Sequence, residues 1–285
     1  MQIDPAFRTH VETTFSPLNR QAAAHSFPQV AALSTELAAL VPAKSTDHAS
    51  VNVQPELSAM FATASVDMWM RAVHSFLVSA SLTNVSDIWA SVTGYYSSHY
   101  SVRAFAHLLG YFQLYTGKRI VHLQLLTGRH VCTFDPKTKW DREHLFYWRI
   151  VKQNPLFVSD PLFTNNNKGG KVPSDVEHRE RANYADHLPN FPTFRPLDAA
   201  ALKNRVQRIS EIQFSTPPIP RVEGYPDVES VQVVAYHRLV RFRDLVNNIL
   251  GDSNRFWKTH RNPSWANDFM DYQLTEQPTL RSQYT

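Results

Sequence analysis

Apolar positions recur at helical spacing along most of the chain and alternate only briefly. Val30, Leu33, Leu37, Leu40 and Val41 fall on one stripe, which predicts a short helix over Gln29–Val41 that Pro42 stops. The first 28 residues read as irregular, because Pro5, Pro17 and Pro28 interrupt any long element. A polar loop is expected over Ala43–Pro55, with Pro55 suited to the first position of the helix that follows. That helix, Glu56–Ser81, carries Leu57, Met60, Phe61, Ala64, Met68, Val73, Phe76 and Leu77 and has no internal Gly or Pro. Asn84 or Ser86 caps a second long helix, expected to run to about Thr116, where Gly117 stops it. The short turn between them makes an antiparallel helical hairpin.

Beyond Gly117 the period changes. Arg119–Leu126 and Arg129–Phe134 flank Thr127–Gly128 and predict a β-hairpin. Further helices are expected over Trp140–Gln153, Val176–His187, Ala199–Phe214 and, after Asp227, to Leu250, where Gly251 ends the last one. Pro155–Pro173 reads as a surface loop and Pro217–Pro220 as a stiff linker. The tail is first aromatic (Phe256, Trp257, Trp265, Phe269) and then polar. The expected fold class is therefore mainly α, a helical bundle with a small β-hairpin insertion. Residues 1–55 form an irregular N-terminal segment with one short helix, residues 56–250 the bundle with insertions at 118–173, and residues 251–285 the tail.

Composition narrows the chemistry. Eight glycines in 285 residues argue against Gly-rich nucleotide folds and against all-β architectures with many tight turns. The single cysteine, Cys132, excludes an internal disulfide and any cysteine-based zinc site. No apolar run reaches the ~18 residues of a membrane span, and the N-terminus does not read as a signal peptide. A cytoplasmic protein with no membrane partner is expected. Residues 1–117 have 5 basic and 7 acidic groups, net −2, and residues 118–285 have 24 and 18, net +6. A mildly basic second part tolerates a nucleic-acid ligand without requiring one.

The usual enzymatic signatures are missing: there is no G-x-S-x-G, G-x-G-x-x-G or H-E-x-x-H. Gly169-Gly170-Lys171 lacks both the first glycine and the hydroxyl residue of a phosphate loop. Trp140, Phe146, Tyr147 and Trp148 alternate with Arg142, Arg149 and Lys152, as in single-strand binders and equally as in a helix packed on a core. His237, Arg238, Arg241 and Arg243 read as the exposed side of the last long helix, with contact to phosphate as the alternative.

The most individual segment is Trp89–Tyr115, containing Gly94-Tyr95-Tyr96-Ser97-Ser98-His99-Tyr100-Ser101-Val102-Arg103-Ala104. Tyr96, Tyr100, Arg103 and His107 lie at i, i+4, i+7 and i+11, a polar stripe that either packs across a bundle or lines a small-molecule pocket. The Tyr-Tyr pair, the small and aromatic residues after it and Arg103-Ala104-Phe105-Ala106-His107-Leu108-Leu109 resemble the second helix of HEPN domains. The resemblance covers this segment and extends by helix order over residues 56–250.

That resemblance implies a four-helix bundle of the kind used by bacterial toxin–antitoxin and antiviral systems, RNA as substrate and a homodimer. It also implies metal-independent cleavage, with no cofactor, by an arginine and a histidine with four to six residues between them. The arginine neutralises the phosphorane and the histidine moves a proton at the ribose 2′-hydroxyl. Three such spacings occur, Arg20–His25, Arg181–His187 and Arg255–His260, about as many as chance gives. Only Arg181–His187 follows the Tyr-Tyr helix in the order the family implies. It assigns Arg181 and His187 as catalytic, with Asn183 and Tyr184 supporting. Ala182 stands where the family often has a polar residue, and a six-residue step turns the two side chains about 120° apart on a straight helix. The alternative is a non-catalytic binding or assembly subunit. The tail aromatics offer a surface for a dimer or a larger complex, or else fold back on their own chain.

Overall fold

A computed structural model describes residues 3–19, 30–41, 48–83, 85–114, 118–138, 143–164, 199–212, 228–263 and 265–270. The two longest hydrophobic periods form the expected hairpin, α3 (Pro55–Ser81) and α4 (Asp87–Leu108). Pro55 opens α3, and the Ser86 hydroxyl accepts from the Trp89 N–H at the start of α4. Small residues on α3, among them Ala62, Ala72, Ser79 and Ala80, are buried and bring α4 close. Gly94 marks the tightest approach: a Cβ there would lie 2.9 Å from Val231 Cγ1 and 3.0 Å from Ser79 Oγ.

The N-terminal segment is not irregular throughout. Pro5–Asn19 forms α1, with Pro5 in its first turn and Pro17 in its last, positions that spare most of the helical hydrogen bonds. Val11, Phe15 and Leu18 make a buried stripe at i, i+4 and i+7. Val30–Leu40 forms α2, as the periodicity predicts.

The β-hairpin is the middle pair of a larger sheet. With β1 (Ala49–Val53), β2 (Tyr111–Leu114), β3 (Arg119–Leu126) and β4 (Arg129–Pro136), four antiparallel strands run in the order β1-β4-β3-β2. β1 lies in the expected polar loop and pairs Val51 with Cys132. β2 takes residues expected to extend α4, which ends at Leu108. Gly110 turns the chain there with φ +83, and a Cβ on it would lie 2.7 Å from the Leu123 carbonyl oxygen.

The remaining described elements are α5 (Glu143–Gln153), α6 (Pro161–Thr164), α7 (Ala199–Glu211), α8 (Val228–Leu250) and α9 (Arg255–His260). The larger core joins Phe15 of α1, Trp69 and Phe76 of α3, Phe105 of α4, Tyr147 of α5, Phe242 of α8 and Trp257 of α9. A smaller core lies between one sheet face (Phe112, Val121, Leu123, Cys132, Phe134) and Leu33, Leu37 and Phe61. The fold is thus mainly helical with a small antiparallel sheet. The tail through Met270 and parts of the 118–173 insertion belong to the larger core.

The basic stripe of α8 is not its exposed side. Arg238 is fully buried, donates from Nε and a terminal nitrogen to the Leu162 carbonyl, and stacks 4.5 Å from the centre of the Trp148 ring. Arg241 and Asp160 form a buried ion pair at 2.8 Å. His237 is also buried and donates from Nε2 to the Ile212 carbonyl, and burial lowers its pKa. The two arginines and the neutral His237 bind the α6 region and the end of α7 to α8. Phe146, Tyr147 and Trp148 are core residues too, which removes them as a single-strand surface.

Candidate functional site

Arg181, Asn183, Tyr184 and His187 lie outside the described residues, as does Arg20–His25. The third spacing is described and is not an outward-facing pair. In α9 Arg255 is exposed, whereas His260 donates from Nδ1 to the Phe256 carbonyl at 2.7 Å and rests 4.3 Å from the Phe256 ring. Burial lowers the His260 pKa.

The Tyr96–Tyr100–Arg103–His107 stripe divides along its length. His107 is fully buried, and its Nδ1 donates to the Tyr111 carbonyl at 2.8 Å. Its ring stacks on Phe112 and meets Tyr147 edge-on. Desolvation, with a smaller contribution from the Arg103 charge, lowers its pKa to about 3. Nε2 is then a bare acceptor with no hydrogen-bond partner. His107 is a neutral core histidine rather than an acid–base group. Arg103 lies over the Tyr147 ring, 5.1 Å from its centre.

At the other end the rings gather. Tyr96 and Tyr100 are partly exposed on α4, with ring centres 6.0 Å apart. Three residues that the stripe leaves out complete the group: Tyr95, His99 and, from α5, His144. The Tyr95 hydroxyl and His144 Nδ1 share a hydrogen bond at 2.5 Å. His99 stacks on Tyr95 at 6.0 Å and lies 4.5 Å from His144. Tyr95 and His99 are themselves an i, i+4 pair one position before Tyr96 and Tyr100, so the segment contained the signal. His144 carried none, because its place depends on how α5 packs against α4.

A second imidazole group joins α1 to the sheet. The Ser58 hydroxyl and His130 Nδ1 are 2.7 Å apart, and His122 stacks flat on Tyr111 with ring centres 4.0 Å apart. Desolvation, followed by the charges of His122 and His130, lowers the His10 pKa to about 4. Ser58 is completely buried, which leaves a substrate no route to its hydroxyl. Burial pushes the Cys132 thiol up to about 12, so it is not a nucleophile. Among the described residues no group of three His, Cys, Asp or Glu side chains is placed to hold a metal ion. Among them, too, no helix is long and apolar enough to cross a membrane.

The tail aromatics mostly fold back. Trp257 is fully buried between Trp69 and Phe242, Phe256 packs on Phe15, and among the described tail aromatics only Trp265 stays substantially exposed, at 44%. In comparisons with known proteins, the chain matches no protein-family model, no curated protein and no solved structure.

Proposed function

We propose that this chain is a HEPN-like component of a toxin–antitoxin or antiviral defence system that acts on RNA in the cytoplasm. The observation that carries the reading is the ring cluster of α4. The segment that resembles the second HEPN helix keeps Tyr96 and Tyr100 partly exposed beside two imidazoles rather than spending every ring on the core. Such a surface suits a ligand of bases and phosphates.

In this reading His187 takes the proton of a ribose 2′-hydroxyl as its oxygen attacks phosphorus, and returns a proton to the departing 5′-oxygen. Arg181 offsets the charge of the phosphorane, while Asn183 and Tyr184 support the pair. No metal takes part, and two copies facing each other supply a second Arg–His pair. Purified protein incubated with total RNA in EDTA should yield fragments ending in 2′,3′-cyclic phosphate and 5′-hydroxyl. His187→Ala and Arg181→Ala should each slow cleavage about 100-fold or more with unchanged melting temperature. No cleavage by the wild type, alone or with a partner, removes the enzymatic claim.

A second reading, a non-catalytic assembly subunit, is favoured by a different observation. The Arg–His spacing occurs about as often as chance gives, and Ala182 stands where the family often has a polar residue. Full biological activity of both the His187→Ala and the Arg181→Ala variants would select it.

A further inference from the structure

We draw no further inference here: the strongest candidate, the partly exposed tyrosine face of α4 at Tyr96 and Tyr100 beside His144 of α5, belongs to the site already described, and nothing in the structure shows what covers it.

Discussion

At the scale of single residues, the histidines show how burial decides chemistry. His107 sits in the segment that carries the family resemblance, yet its environment makes it a neutral acceptor. Its folded-state pKa of about 3 lies well below the ordinary 6.5. Above pH 6.5 neither state binds the proton, and the full benefit of the neutral ring is present. As pH falls from 6.5 towards 3 the unfolded chain takes up a proton that the folded chain refuses, so stability falls with pH across that window. The loss is on the order of 3–5 kcal/mol at the acid end, and His10, lowered to about 4 by burial, adds to it over the upper part of the same window. His107→Asn keeps an N–H donor near the Tyr111 carbonyl and removes the titration. Urea unfolding between pH 5 and 8 should show a stability less dependent on pH in the variant than in the wild type. Identical slopes would mean that His107 is not the group responsible.

At the scale of elements, close approach explains what periodicity alone could not. Gly94 lies inside α4, where replacing glycine by alanine ordinarily gains about 0.8–1 kcal/mol. Here the added methyl would meet Val231 Cγ1 at 2.9 Å and Ser79 Oγ at 3.0 Å, contacts that force α3, α4 and α8 apart. Overpacking of this kind costs about 1–3 kcal/mol, so Gly94→Ala should destabilise on balance, by about 1 kcal/mol in denaturant unfolding. Adding Val231→Ala should return part of the loss, and a stabilised Gly94→Ala would show that the helices are less tightly joined. The same contrast between local and long-range information explains which elements the sequence made legible. α3, α8 and the β3–β4 hairpin were readable because each carries a long period or a turn signal of its own. β1 was not, because five residues with Ser50 and Asn52 facing outward look like loop until β4 pairs with them. α1 was hidden by prolines that happen to occupy its ends, and β2 by aromatic residues that would suit either period. Of the candidate site, Tyr96, Tyr100 and Arg103 could be found by spacing, but His144 could not, and the Arg238 and Arg241 cations were misread because nothing local shows that α6 covers them.

At the scale of the whole molecule, the two ends of the described chain hold each other. The Asn254 side chain donates to the Phe15 carbonyl and accepts from the Trp257 N–H, and Asn19 accepts from the Arg255 N–H and donates to the Ser253 carbonyl. Trp257 then fills the space between Trp69 of α3 and Phe242 of α8. Phe256 and Trp257, which the sequence offers equally as a dimer surface, are therefore committed to the chain's own core, and a homodimer would use other residues. Trp257 and Trp265 make the distinction measurable. Truncating a fully buried tryptophan costs about 3–5 kcal/mol, a large part of the ~5–15 kcal/mol that holds a typical domain. Trp257→Ala should lose that much in denaturant unfolding and should expose α1 to limited proteolysis, because the helix loses the element that closes over it. Trp265, which is 44% exposed and touches His74 edge-on, should cost under about 1 kcal/mol when replaced by alanine. If light scattering finds a dimer, neither substitution of Trp257 with retained fold nor its burial should matter to the association, whereas Trp265→Ala or Trp89→Ala should weaken it. A dimer dissolved by Trp257→Ala while the monomer stays folded would mean that α9 leaves its own core to make the contact, and the closed arrangement of the two ends would be wrong.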